Sequence, residues 1–207
     1  MTSDDITIHR GLTGVYFDRS ATTFIDGKNG VLEYRGYNIN QLAEHSTFEE
    51  TGYLLIHGKL PTQAELNDFD AELKAARELP EQVFDVLELV KDSHPMDALR
   101  TAVSALASFD EDRNDNSPEA TIRKGNRLTS QVPSIVMAHH NIRQGKDPIK
   151  PSTVLNHAGN FLYMLNGDEP SAATAELMDK DFVLHADHGS NASAFTARVV
   201  AGTAADI

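Results

Sequence analysis

One hairpin followed only by helix-period sequence is the arrangement that most narrows what this chain can fold into. From Thr22 to Ile39 it reads strand, turn, strand: apolar Phe24 and Ile25, then Asp26-Gly27-Lys28-Asn29-Gly30, then Val31-Leu32-Glu33-Tyr34-Arg35-Gly36. Glycines at both ends of the turn permit positive φ. No second β signal follows, so most of the core has to come from helices.

Past the hairpin the apolar period lengthens. Phe48, Thr51, Gly52, Leu54, Leu55 and Ile56 lead to a stop at His57-Gly58, with Pro61 beyond. Thr62 reads as an N-cap with Glu65 as its capping-box partner, and the segment from Glu65 to Leu79 repeats Leu66, Phe69 and Leu73 on one face. Further helices are expected from Glu81 to Val90, Pro95 to about Phe109 and Glu119 to about Gln144, His94-Pro95 being a helix start with proline in the first turn. The acidic stretch Asp110 to Pro118 reads as a surface loop. Two more helices are expected from Ser152 to Leu165 and from Ser171 to His185. A last one runs from Ala192 to Ile207, capped by Asn191 or Ser190, with Phe195, Val199 and Val200 inward and no stop signal. The expected class is mainly α, a helical bundle with a small N-terminal hairpin.

A chain of 207 residues, 40% hydrophobic, is long enough to bury a sizeable core. It has no apolar run able to cross a bilayer, and its start, Met1-Thr2-Ser3-Asp4-Asp5, is acidic where a targeting peptide needs basic residues, so the cytoplasm is the expected location. The absence of cysteine excludes disulfides, thiolate metal sites and a cysteine nucleophile. A formal net charge of −13 and a pI near 5.0 argue against binding nucleic acid or an anionic membrane. The nine histidines are neutral donors and acceptors near pH 7, with His9 and His45 expected in loops or at the surface.

The polar turn from His185 through Asp187, His188 and Gly189 to Asn191 and Ser193 concentrates titratable groups. His185 and His188 would share a face on a helix, where Asp187 is placed to orient one of them. A divalent-metal site is one reading, but it needs a third ligand, and neither His139-His140 nor His157 stands at metal spacing, so no metal is expected. Structural histidines at a helix start are a second. The third is a neutral-histidine site for a carboxylate or ketone, beside a helix N-terminus whose free amides attract anions.

The segment His185-Ala-Asp-His-Gly-Ser-Asn-Ala-Ser-Ala-Phe-Thr-Ala-Arg resembles the oxaloacetate-binding turn and following helix of the citrate synthase family. Gly30-Val-Leu-Glu-Tyr-Arg-Gly-Tyr-Asn-Ile, Tyr53-Leu-Leu-Ile-His-Gly-Lys-Leu-Pro-Thr, His94-Pro-Met-Asp-Ala-Leu-Arg and Asn160-Phe-Leu-Tyr-Met-Leu resemble further family segments in the expected order, so the resemblance runs from about Gly11. It implies the N-terminal part of the family's large helical domain, in the short bacterial and archaeal form, and a homodimer or higher homo-oligomer built from antiparallel helices. The implied reaction is acyl transfer, a Claisen condensation of oxaloacetate with acetyl-CoA as co-substrate and no cofactor. On this resemblance His188 matches the histidine that hydrogen-bonds oxaloacetate, with His185 and Asn191 as neighbouring substrate-binding residues. Glu33, Tyr34 and Arg35 read as hairpin residues rather than catalytic ones. Gly189 departs from the family, which often has glutamate there.

The family's aspartate base, its histidines in Gly-Pro-Leu-His-Gly and Gly-His segments, and the arginines for the substrate carboxylates all follow this turn. None occurs in the 207 residues. The chain therefore reads as a truncated, partial large domain (1–207), lacking the small domain and C-terminal part, without catalytic residues of its own and inactive alone. Two alternatives are a 2-methylcitrate synthase using propionyl-CoA and a short noncatalytic relative acting through its dimer helices.

Overall fold

A computed structural model describes Gly11, Gly14, residues 19–189 and residues 191–203. His9, Ser190 and the end of the expected last helix, residues 204–207, lie outside the described residues. Among them the chain forms one small sheet and nine α-helices, so the mainly α expectation holds.

The sheet contains β1 (Thr23–Asp26), β2 (Val31–Tyr34) and β3 (Tyr37–Asn38), antiparallel in the order β1-β2-β3. Asp26 builds the first turn: one carboxylate oxygen accepts from the Lys28 and Asn29 amides at 3.1 and 3.2 Å. Of the two turn glycines only Gly30 uses positive φ, at 67°. The third strand is an addition to the expected hairpin, and it follows from Arg35 and Gly36, whose φ values of 51° and 86° suit a two-residue turn with both centres left-handed. A non-glycine residue is strained there. The Arg35 guanidinium offsets that strain by donating twice to the Leu55 carbonyl, at 3.2 and 2.7 Å.

The helices are α1 (Ile39–His45), α2 (Phe48–His57), α3 (Gln63–Ala75), α4 (Glu81–Leu89), α5 (Pro95–Leu106), α6 (Pro118–Arg143), α7 (His157–Asn166), α8 (Ala172–Leu184) and α9 (Ala192–Ala201), with a 3-10 turn at Ala107–Phe109 after α5. Their ends follow the cap chemistry. Thr47 with Glu50 and Thr62 with Glu65 close full capping boxes, and Gly58 ends α2 in the left-handed conformation. Replacing Thr62 by alanine opens the α3 box and is expected to lower stability by about 1 kcal/mol in urea denaturation, with Thr62→Ser restoring it. A variant as stable as the parent would show that α3 is held by packing alone.

Three apolar clusters hold the helices together. Val83 and Leu87 from α4, Ala102 and Leu106 from α5, and Ile135, Ala138 and Ile142 from α6 form one. Tyr34, Ile39, Leu42, Leu54 and Val183 form a second, which seats the sheet against α1, α2 and α8. Tyr53, Phe69 and Leu73 join α2 to α3. The expected acidic loop is present and is tied down, because Arg127 pairs with both Asp110 and Asp112 and Arg123 pairs with Asp112.

Charged groups also reach the interior, where they hold helix starts and a loop. The Glu49 carboxylate accepts from the His157 amide at 2.7 Å, so α2 caps the start of α7. Asp179 of α8 accepts in the same way from the Phe48 amide that starts α2, at 3.3 Å. Burial pushes both carboxyl groups up from their ordinary values, and the amides they accept from pull the other way. Arg77 is only 1% exposed, and one terminal nitrogen donates to the Ser152 and Leu155 carbonyls at 2.7 and 2.8 Å, fixing the loop ahead of α7. His157 lies next to this group, its ring stacked on Phe48 at 4.4 Å. Its Nδ1 has no hydrogen-bond partner among the described residues.

Four helices differ from expectation. Helix α1 was not legible as a separate element. Helix α3 ends at Ala75 rather than Leu79, because the chain turns there to carry Arg77 into the core. Helix α7 begins at His157 rather than Ser152, since the Ser152 hydroxyl accepts the Val154 and Leu155 amides in a turn and Asn156 makes the true cap. In α9 the residues expected inward are not buried: Phe195 is half-buried, and Val199 and Val200 are 53% and 44% exposed. No described helix is long and apolar enough to cross a membrane.

Candidate functional site

The polar turn joins α8 to α9, and α8 delivers its first residue. His185 is the C-cap, with Nδ1 2.8 Å from the Asp181 carbonyl. A carbonyl only accepts, so this contact selects the tautomer protonated at Nδ1 and leaves Nε2 as an acceptor toward solvent. The Asp181 carboxylate lies 3.5 Å from the same nitrogen. The two histidines do not share a helix face as their spacing suggests, because α8 stops at Leu184.

Asp187 also departs from its expected role. Its side chain accepts from the Thr23 hydroxyl and from the Gly189 amide, the latter at 3.2 Å, so it ties the turn to the sheet and to itself instead of orienting a histidine. Tyr34 reinforces the attachment. Its hydroxyl lies 3.1 Å from the Leu184 carbonyl, 3.0 Å from the Asp187 carbonyl and 3.3 Å from the Asp187 amide. One hydroxyl hydrogen serves the two carbonyls while the oxygen accepts from the amide.

Beyond that anchor the turn opens to solvent. His188 is exposed and has no hydrogen-bond partner among the described residues. Gly189 takes a φ of 64°, and a Cβ there would meet nothing within 4 Å, so glutamate at this position would be opposed by the backbone conformation and not by space. Asn191 caps α9 by accepting from the Ala194 amide at 2.9 Å, and its carbonyl accepts from Phe195 at 2.9 Å. Among the described residues that leaves the Ala192 and Ser193 amides as the open donors of the first turn, where the helix dipole favours an anion.

The structure thus brings His185, His188 and Asn191 to one exposed turn, with donors and acceptors that suit a small carboxylate or ketone. A cleft of about 530 Å³ lies elsewhere, between α4, α6 and the loop that includes Ile149, and none of the turn residues lines it. No cluster of three metal-ligating side chains occurs among the described residues. The contributions of Thr23 and Tyr34 carry no local sequence signal, since both read as strand residues far from the turn.

Comparisons with known proteins give this geometry its context. A family model described as "Citrate synthase, C-terminal domain" matches residues 11–207. The citrate synthase of Haloferax volcanii is 48% identical over 205 residues, covering 97% of this chain and 54% of its own length. A 2-methylcitrate synthase of Mycobacterium tuberculosis is 38% identical over 201 residues, covering 97% and 51%. The crystal structure of citrate synthase from Pyrobaculum aerophilum superimposes with a TM-score of 0.92 at 38% identity, over 96% of this chain and 52% of that one. The chain spans about half the length of the relatives it matches. Since sequence and fold agree across almost all of its residues, the chain belongs to the citrate synthase family.

Proposed function

We propose that this chain supplies the oxaloacetate-binding wall of an enzyme that condenses acetyl-CoA with oxaloacetate to give citrate and CoA. It is read as the first part of the large helical domain, in a cytoplasmic homo-oligomer. The observation that carries the proposal is the exposed His188, without a hydrogen-bond partner among the described residues and three residues ahead of Asn191, the cap of α9. An imidazole N–H there donates to a substrate oxygen, while His185 and Asn191 line the approach. The reaction also requires a base to take a weakly acidic proton from the thioester methyl and donors to hold the enolate. No residue of this chain is assigned those tasks, and neither a metal nor a cofactor is invoked.

Calorimetry on the complete enzyme tests the reading. His188→Ala is expected to weaken oxaloacetate binding by about tenfold, the loss of one hydrogen bond to a charged ligand. Unchanged affinity rejects the assignment. The 207 residues alone are expected to release no CoA thiol from acetyl-CoA and oxaloacetate, and turnover by them would show that the chemistry resides in groups assigned no such role here. Comparison of acetyl-CoA with propionyl-CoA in the complete enzyme separates citrate from 2-methylcitrate formation, a choice that the 38% identity to a 2-methylcitrate synthase keeps in view.

A further inference from the structure

We propose that Tyr34 and Thr23 form a clasp that positions His188 for oxaloacetate, so that the hairpin, which touches no substrate, sets the affinity of the turn; this rests on the function proposed above. Thr23 and Tyr34 face each other across β1 and β2. Together they hold Asp187 from two sides. Tyr34 takes the backbone, meeting both the amide and the carbonyl of residue 187, and Thr23 takes the side-chain carboxylate. The peptide that leads into His188 is therefore fixed on one side by a tyrosine that is fully buried.

The clasp is rigid for a physical reason. The Tyr34 ring is packed among Ile39, Leu42, Leu54 and Val183, so its hydroxyl cannot follow the turn if the turn moves. The second oxygen contact, to the Leu184 carbonyl, fixes the end of α8 to the same point. Asp187 closes the loop by accepting the Gly189 amide, which bounds His188 on its other side. His188 itself is exposed and has no hydrogen-bond partner among the described residues, so the orientation of its ring depends on the backbone that flanks it. Holding that backbone lowers the conformational freedom lost when a ligand binds.

Tyr34→Phe removes the hydroxyl and keeps the buried ring. In the complete enzyme it is expected to raise the KM for oxaloacetate about fivefold to twentyfold, with little change in the KM for acetyl-CoA. A double-mutant cycle separates positioning from general weakening. In a His188→Ala background the same Tyr34→Phe change is expected to cost no further oxaloacetate affinity, because the residue it positions is gone. Thr23→Val, at a half-buried strand position, is expected to act in the same direction and keeps the test in force if Tyr34→Phe does not fold. Additive losses in the cycle, equal effects on both substrates, or unchanged oxaloacetate KM in a folded variant would overturn the clasp. If His188→Ala alone leaves oxaloacetate binding intact, the proposed function fails instead, and the failure is distinguishable because it involves neither Tyr34 nor Thr23.

Discussion

Arg77→Ala is expected to lower the melting temperature by roughly 10 °C. The guanidinium is almost fully buried, and one nitrogen serves the carbonyls of both Ser152 and Leu155. Hydrogen bonds from a charged donor contribute about 1.5–3 kcal/mol each, and in a domain of this size each kcal/mol moves the midpoint by roughly 2–4 °C. Alanine also leaves both carbonyls without a donor and opens a void beside Glu49. Burial acts against the charge of Arg77, while Glu49 and Asp70 support it, so removing the cation leaves Glu49 as an interior carboxylate with less compensation. Arg77→Lys keeps the charge but lacks the planar fork, and is expected to recover only part of the loss. Scanning calorimetry decides the matter: a drop under about 3 °C for alanine would mean that the loop before α7 is held by its own turn.

The second large effect is a loss of stability in acid that depends on His157. Burial first, and the charge of Arg77 second, push its pKa down to about 4 from an ordinary 6.5. A group depressed on folding contributes stability that is present above the unfolded value and is lost as pH falls through the folded one. The window therefore runs from about pH 6.5 down to 4, and the shift amounts to roughly 3 kcal/mol. Glu49 and Asp179 act in the opposite sense. Their folded pKa values are raised, so their contribution is present below the unfolded values of 4.5 and 3.8 and is lost as pH rises through the folded ones. His157→Phe keeps a ring against Phe48 and Phe182 and keeps the amide that Glu49 accepts from. Urea denaturation at several pH values should show the parent losing ground to His157→Phe as pH falls across that window. Parallel profiles would mean that the histidine is hydrated in the folded state.

Local chemistry makes much of this fold readable in the sequence. The capping box at Thr62, the glycine stop at Gly58 and the His94-Pro95 start sit where the sequence puts them, because each is complete within a few residues. Errors arose where one residue type had two uses. Ser152 resembles a cap and makes a turn, and Arg77 resembles the continuation of an exposed helix and is the largest of the fully buried side chains. Short α1 carries no separate start signal because its cap, Asn38, is also the last residue of β3. At the candidate site the sequence located His185, His188 and Asn191 on one turn, but not the contacts of Asp187. Those depend on Thr23 and Tyr34, and no periodicity relates such distant positions.

That distance also bears on how the protein is made. The Tyr34 hydroxyl is separated from its two carbonyl partners by 150 and 153 residues of chain. At ribosomal speeds of about 5–20 residues per second, the hairpin emerges roughly 8–30 s before the segment that completes its contacts has been synthesised. In that interval Ile39, Leu42 and Leu54 are already available to cover the ring, while Val183 and the turn are not. The nascent chain would carry a half-lined groove waiting for its last wall, and the polar turn after α8 would acquire its fixed shape only when α8 arrives to fill it.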